Sequence, residues 1–103
     1  MALLPEFFPS IEGFQWDDGN ATKNWTRHHV SQTEAEQVFL NRPIVVTAAT
    51  AAGIEPRHFA LGRTDAGRQL AIVFTFRGSL LRVISGRPMS RGERRTYAQA
   101  NTP

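Results

Sequence analysis

The feature of this sequence that most constrains its fold is a residue alternation with a period of two, which covers residues 57–85. Turn signals at residues 64–67 and 77–78 divide the alternation into three runs. Successive side chains of a strand point to opposite faces of a sheet, so alternating runs are typical of strands with one buried face. The pattern predicts a meander of three antiparallel strands.

Helix signals precede and follow this run. A first helix is predicted from the acidic pair at residues 17–18 through His28, with the acids at the positive end of the helix dipole. A second begins at a capping box formed by Ser31 and Glu34. Another capping box, at residues 90–93, predicts a short C-terminal helix over residues 91–100.

Together these elements predict an α+β domain. Further strand signals at residues 11–16 and 44–47 give an antiparallel sheet of about four to five strands, with two N-terminal helices on one face and a short C-terminal helix near its edge or end. The uncovered face is expected to meet a ligand. The chain fits a single domain, residues 1–103, in which residues 1–10 form an extended N-terminal arm and residues 11–100 form the core.

Charge is distributed unevenly along the chain. Residues 1–56 carry three basic and seven acidic residues, a net charge of −4, whereas residues 57–103 carry nine basic and two acidic residues, a net charge of +7. All nine are arginines, whose planar guanidinium binds phosphate through several donors. The second half therefore suits a polyanion. The simpler alternative is that these arginines pair with the acids of the first half on a solvated sheet.

Several kinds of chemistry find little support. The chain has no cysteine, which excludes disulfides and thiolate metal sites. His28 and His29 are adjacent and His58 is far away, so no metal or cofactor site is predicted. There is neither a secretory signal nor an apolar run of membrane-spanning length, and we expect a soluble cytoplasmic protein.

The remaining polar groups could cleave RNA without a metal ion. RNA supplies its own nucleophile, the 2′-OH, so an enzyme needs to remove that proton, stabilise the charged transition state and protonate the leaving oxygen. His28, His58 or Glu55 could transfer protons, as could a perturbed Tyr97, and arginines could stabilise the charge. Each residue also has a structural interpretation: His28 could cap a helix, Glu55 could lie in a loop and Tyr97 could pack against the sheet.

The order of several short motifs resembles the BrnT family of ribonuclease toxins from bacterial type II toxin–antitoxin systems. The matching residues span about 12–97 in collinear order and are Phe14-Gln15-Trp16-Asp17, Asn20, Asn24, Arg27-His28, Val30-Ser31, Glu34-Ala35, Val38-Phe39, Ala60-Leu61-Gly62-Arg63-Thr64, Gly67-Arg68, Val73-Phe74-Thr75, Arg82-Val83-Ile84-Ser85, Arg87-Pro88-Met89-Ser90-Arg91, Glu93-Arg94-Arg95 and Tyr97. No single motif is specific to the family, but the collinear order of all of them is.

The resemblance implies a RelE-like fold and a ribonuclease that inhibits translation by cutting RNA. It also implies a partner, a BrnA-like antitoxin with a ribbon-helix-helix DNA-binding part, in a hetero-oligomer that binds operator DNA. The residues that we predict to be catalytic are His28, Glu55, Arg63, Arg82 and Arg87. Those predicted to contact RNA are Arg27, Arg57, Arg77, Arg91, Arg94 and Tyr97. Which group acts as the base and which as the acid is left open.

Two departures from the family pattern bear on function. His29 replaces a glycine that could adopt a left-handed helix cap, at some conformational cost. The loop at residues 47–53 carries no acid and no histidine, where many members of the family have both, so Glu55 is the nearest acid. The main hypothesis is a metal-independent endoribonuclease. The alternatives are a catalytically weakened module that binds antitoxin and modulates autorepression, and direct nucleic-acid binding through the basic patch alone.

Overall fold

The computed structural model describes most of the second half of the chain and parts of the first, namely residues 2–3, 12–17, 19–20, 27–41, 43–46 and 57–100. The strands are β1 (Ala2–Leu3), β2 (Gly13–Gln15), β3 (Ile44–Val46), β4 (His58–Arg63), β5 (Gln69–Arg77) and β6 (Leu80–Pro88), and the helices are α1 (Gln32–Leu40) and α2 (Arg91–Ala100). Residues 19–20 and 27–28, near the two ends of the predicted first helix, are also helical. None of the helices in these ranges is long and apolar enough to cross a membrane.

The described strands form one sheet in the order β1-β3-β4-β5-β6-β2. The predicted meander is confirmed as β4, β5 and β6, which pair antiparallel through turns with positive φ at Gly67 (88°) and Gly78 (61°). The antiparallel sheet of four to five strands was wrong in detail, because six strands pair and β2 runs parallel to β6. The Glu12 N–H donates to the Ser79 carbonyl at 2.8 Å, which starts β2 beside the β5–β6 turn and sends it along β6.

Part of the predicted N-terminal arm is described by the structure. Residues 2–3 pair antiparallel with β3 and add a short strand to one edge of the sheet, so this part of residues 1–10 belongs to the fold rather than preceding it. Residues 7–8, the phenylalanine pair predicted within the arm, lie outside the described residues.

Helix α1 covers one face of the sheet. Its predicted capping box is confirmed: Ser31 Oγ accepts from the Glu34 N–H at 3.1 Å, and the Glu34 carboxylate accepts from the Ser31 N–H at 3.1 Å. The helix buries Ala35, Val38 and Phe39 against side chains of β4, β5 and β6. The sheet residues of this cluster are Ala60, Leu70, Ile72, Phe74, Leu81 and Val83. Each large side chain here contributes about 1.5–3 kcal/mol by burial.

Helix α2 packs against the opposite face of the sheet, which the prediction of a helix near the edge or end did not specify. Leu61, Ala71, Met89 and Tyr97 form a second, smaller buried cluster under it. Its capping box is also confirmed, with the Ser90 N–H donating to the Glu93 carboxylate at 2.8 Å and the Glu93 N–H to Ser90 Oγ at 3.2 Å. Among the described residues, α2 therefore covers one end of this second face.

A β-bulge in β6 changes which residues share that second face. Val73 lies opposite Ser85 while Phe74 lies opposite Val83, so Ile84 is an extra residue. Simple alternation had placed Ser85 on the same side as Val83, and the bulge moves it to the other. It also brings residues 82 and 87 to one face, although their odd separation would otherwise place them on opposite faces.

Candidate nucleic-acid interface

The open face is defined here as the part of the sheet surface that α1 does not cover and that lies beside α2. Residues directly opposite each other on neighbouring strands share a face, so the register arranges this surface in three rows. The rows are Gln15, Arg82 and Thr75; then Ser85, Val73 and Phe59; then Arg87, Ala71 and Leu61. Two arginines therefore stand on the same surface, one on each side of an uncharged middle row.

Arg82 is held in place by the segment that precedes the first helical residues. Its Nη1 donates to Asp17 Oδ2 at 2.9 Å and to Gln15 Oε1 at 3.2 Å, and its Nη2 donates to Asp17 Oδ1 at 3.3 Å. Hydrogen bonding from Arg82, followed by the Asn20 N–H, lowers the pKa of Asp17. Asn20 is buried and donates to the Val83 carbonyl at 2.8 Å, which ties this segment to β6. The Arg82 side chain is only 18% exposed and has a fixed position.

Arg87 is fixed from the other direction, by α2. Its Nη1 donates to Glu93 Oε1 at 2.6 Å and its Nη2 to Glu93 Oε2 at 2.8 Å. The hydrogen bonds from Arg87 and then from the Ser90 N–H outweigh burial and lower the pKa of Glu93 to about 2. The same contact raises the pKa of Arg87. Because Glu93 also caps α2, one carboxylate couples the helix to the end of β6.

The two arginines share a binding geometry. Their side-chain hydrogen bonds to described residues all use Nη1 and Nη2, so no acceptor among the described residues occupies the edge formed by Nε–H and the second Nη2 hydrogen. A phosphate can bind such an edge through two parallel hydrogen bonds. The β5 partners of the two arginines, Thr75 and Ala71, are four residues apart, which is roughly 13 Å along a strand. The pair therefore suits two phosphates of one strand rather than a single phosphate.

Arg63 lies farther along the sheet. It stands opposite Gln69, six residues from Thr75 on β5, which corresponds to roughly 20 Å. It lines a cavity of about 480 Å³ with Leu40, Asn41, Thr64, Asp65 and Gly67. The structure therefore does not bring Arg63 to the phosphate position of Arg82.

Four further arginines predicted to contact RNA lie in the second half of the chain, two near one end of the sheet and two on α2. Arg57 directly precedes β4 and Arg77 ends β5, and both are exposed near the end of the sheet that holds Arg82. Arg91 and Arg94 are exposed on α2, where Arg94 Nη1 donates to the Met89 carbonyl at 2.8 Å. These positions extend the basic surface beyond the open face at both ends.

Tyr97, which we predicted to contact RNA, is only 6% exposed. It packs with Leu61, Ala71 and Met89 beneath α2. Little of its ring is exposed to contact RNA. Its position agrees with the structural interpretation, in which Tyr97 packs against the sheet.

Both candidate proton-transfer histidines, His28 and His58, are among the described residues. His28 is half-buried in the last helical residues before α1, with Arg27 exposed beside it. His58 faces the α1 side, where its ring stacks on Phe74 at 5.3 Å and burial lowers its pKa. Glu55 is not among the described residues, and neither is the 47–53 loop. The described residues contain no group of three or more potential metal ligands.

Arg68 is a residue whose role the sequence did not indicate. Its Nη2 donates to the His28 carbonyl at 3.0 Å and its Nη1 to the His29 carbonyl at 2.8 Å. The same Nη1 donates to both carboxylate oxygens of Glu34 at 3.1–3.2 Å. Burial alone would raise the pKa of Glu34, but the Ser31 N–H and Arg68 outweigh it and lower the pKa. Arg68 thus anchors the segment that carries His28. His29 adopts the left-handed conformation that the glycine of other family members could take at this position, with a φ of 53°.

Comparisons with known proteins agree with the resemblance found in the sequence. The model of a family described as "Ribonuclease toxin, BrnT, of type II toxin-antitoxin system" matches residues 16–93. The crystal structure of the Brucella abortus ribonuclease toxin BrnT is similar, with 26% sequence identity and a TM-score of 0.57, over 77% of this chain and 97% of that chain. No curated protein sequence matches significantly. The chain therefore belongs to the BrnT family of ribonuclease toxins of type II toxin–antitoxin systems.

Proposed function

We propose that this chain is an endoribonuclease that cuts single-stranded RNA on the open face without a metal ion. The observation that carries the proposal is the placement of Arg82 and Arg87 on one face of the sheet, each held by a carboxylate through Nη1 and Nη2. Arginines fixed in this way lose little conformational entropy when they bind a phosphate, which supports both binding and transition-state stabilisation.

The reaction needs three events. The 2′-oxygen loses its proton to a base and attacks the neighbouring phosphorus, the bond from phosphorus to the 5′-oxygen breaks, and an acid protonates that oxygen. The products are a 2′,3′-cyclic phosphate and a 5′-OH end. Arg82 or Arg87 stabilises the negative charge on the phosphoryl oxygens, while the other binds the phosphate of a neighbouring nucleotide.

We assign proton transfer to His28 and Glu55, as the sequence suggests, with Arg68 anchoring the His28 segment. Because Arg63 is roughly 20 Å along the sheet from the Arg82 row, its role is to bind RNA beyond the cleaved bond. Arg27, Arg57, Arg77, Arg91 and Arg94 extend this surface.

The family implies an antitoxin, and we propose a small BrnA-like ribbon-helix-helix protein that neutralises this chain in the cytoplasm and binds operator DNA with it as a hetero-oligomer. Co-expression with the reading frame next to its gene tests this proposal. A stable complex that abolishes RNA cleavage is expected, and a neighbouring protein that leaves cleavage unchanged would contradict it.

Replacing Arg82 with lysine tests the open-face site. Lysine keeps the charge but cannot offer two parallel donors, so cleavage of a short RNA should fall at least about tenfold. Arg95→Lys is the matched control, since Arg95 is exposed on α2 and forms no ion pair with another described residue. Equal activity of Arg82→Lys and Arg95→Lys would exclude the proposed phosphate role.

A second candidate function rests on the loop at residues 47–53, which lacks any ionisable side chain. A chain weakened in proton transfer would still bind antitoxin and RNA and could modulate autorepression. This second candidate function predicts that the chain binds RNA through Arg82 and Arg87 but does not cleave it.

A further inference from the structure

The middle row of the open face is an uncharged surface between two arginines. Phe59, Val73 and Ser85 are directly opposite one another across β4, β5 and β6, and each is partly exposed. This row is two residues, roughly 7 Å, from the Arg82 row and the same distance from the Arg87 row. An aromatic ring, a β-branched side chain and a hydroxyl group thus fill the space between two candidate phosphate sites.

The contacts of Phe59 set it apart from the phenylalanines on the α1 side of the sheet. Phe39, Phe74 and Phe76 pack among themselves and with His58 on the α1 side. Phe59 is on the other side, at the margin of the α2 cluster, and the guanidinium carbon of Arg87 lies over part of its ring, 5.8 Å from the centroid. Aromatic rings and arginine guanidinium planes are both surfaces on which proteins stack unpaired bases.

From this arrangement we infer a nucleobase-binding subsite formed by Phe59, Val73 and Ser85. A base of single-stranded RNA stacks on the exposed part of the Phe59 ring, and the Ser85 hydroxyl is placed at the end of the row to bond to the base edge. Arg82 and Arg87 bind the phosphates on either side. This inference rests on the proposed function, because it takes RNA as the ligand of the open face.

The stacking geometry also predicts weak sequence preference. Every base offers a flat face of similar size, so Phe59 contributes to affinity for all four bases. Only the single hydroxyl of Ser85 distinguishes one base edge from another. Duplex RNA is a poor ligand for the subsite because its bases are already stacked and paired.

The test is equilibrium binding of short 2′-O-methyl RNA, which lacks the nucleophile and is not cleaved. Phe59→Leu should bind about 5- to 150-fold more weakly than the unaltered protein, the range expected for one lost base stack. Phe76→Leu is the matched control, since it removes a partly buried ring from the α1 side of β5 and should leave binding unchanged.

An oligonucleotide series with one abasic position each provides a second measurement that needs no protein variant. One abasic position should weaken binding to the unaltered protein as much as Phe59→Leu does, and should weaken binding to Phe59→Leu no further. Equal affinity for the intact and all abasic RNAs would overturn the subsite even if Phe59→Leu failed to fold. A protein that neither binds nor cuts RNA would instead refute the proposed function itself.

Discussion

Replacing Glu93 with glutamine removes the charge that holds Arg87 while keeping an oxygen that can accept from the Ser90 N–H. In the folded protein the pKa of Glu93 is about 2, against an ordinary value of 4.5. That difference corresponds to about 3 kcal/mol at most. Because the Arg87 side chain is 40% exposed, solvent screens the pair, and we expect a loss of about 1–2 kcal/mol in the free energy of unfolding at pH 7.

The pH dependence of this loss identifies its cause. A carboxyl whose pKa is lowered by folding contributes its full stabilisation above its unfolded pKa and loses it as the pH falls toward its folded pKa. The difference in stability between the unaltered protein and Glu93→Gln should therefore be complete above about pH 4.5 and should shrink toward zero near pH 2.

Urea unfolding followed by circular dichroism at several pH values measures this difference. Glu12→Gln is the control, because its carboxylate is exposed and accepts a single hydroxyl hydrogen bond from Ser79. That variant should differ from the unaltered protein by less than about 0.5 kcal/mol. If Glu93→Gln were as stable as the unaltered protein at pH 7, or if its deficit were the same at pH 7 and pH 3, the proposed Arg87–Glu93 coupling would be refuted.

Three further predictions concern packing, backbone strain and phosphate binding. Gly86→Ala should lower the free energy of unfolding by about 1–3 kcal/mol, because its Cβ would lie 2.9 Å from Ile72 Cδ1. In the control, Gly92→Ala, the added Cβ meets no atom within 4 Å, so that variant should be neutral or more stable. Equal urea midpoints for the two variants would contradict this. His29→Gly should raise stability by about 0.5–1 kcal/mol through relief of its positive φ, and a lower urea midpoint would argue against strain. Arg87→Lys should weaken the binding of uncleavable 2′-O-methyl RNA at least about fivefold, and unchanged affinity would exclude Arg87 from the interface.

The parts of the fold that were predictable depend on neighbours in sequence. Both capping boxes join residues three apart, so Ser31 with Glu34 and Ser90 with Glu93 can be identified without knowing the rest of the structure. The turn at Gly67 is equally local. The alternation of side chains along the sequence predicted β4 and β5, because each strand has one face against α1 and the other against α2 or solvent.

The parts that were missed depend on contacts between distant segments. The parallel pairing of β2 with β6 joins residues more than 60 apart, and nothing within residues 11–16 distinguishes parallel from antiparallel. The bulge at Ile84 is needed because Gly86 must lie against Val30 and Ile72, a contact that alternation in β6 alone does not reveal.

The candidate site shows the same division. The family motif identified Arg82 and Arg87 as important, but only the bulge explains why they share a face. The carboxylates that hold them, Asp17 and Glu93, were interpreted as helix caps, and both serve two purposes in the structure. Tyr97 was assigned to RNA from its motif, yet its burial under α2 depends on the tertiary packing of Leu61 and Ala71.

The central claim is that the open face cuts RNA through its own 2′-OH, with no metal ion. The most direct test incubates the purified protein with a short single-stranded RNA in excess EDTA and determines the chemical ends of the products. We predict cleavage that persists in EDTA, yields 2′,3′-cyclic phosphate and 5′-OH ends, and disappears when the nucleotide before the cut carries a 2′-O-methyl group. RNA that stays intact, or cleavage that EDTA abolishes and that leaves 3′-OH and 5′-phosphate ends, would contradict the account.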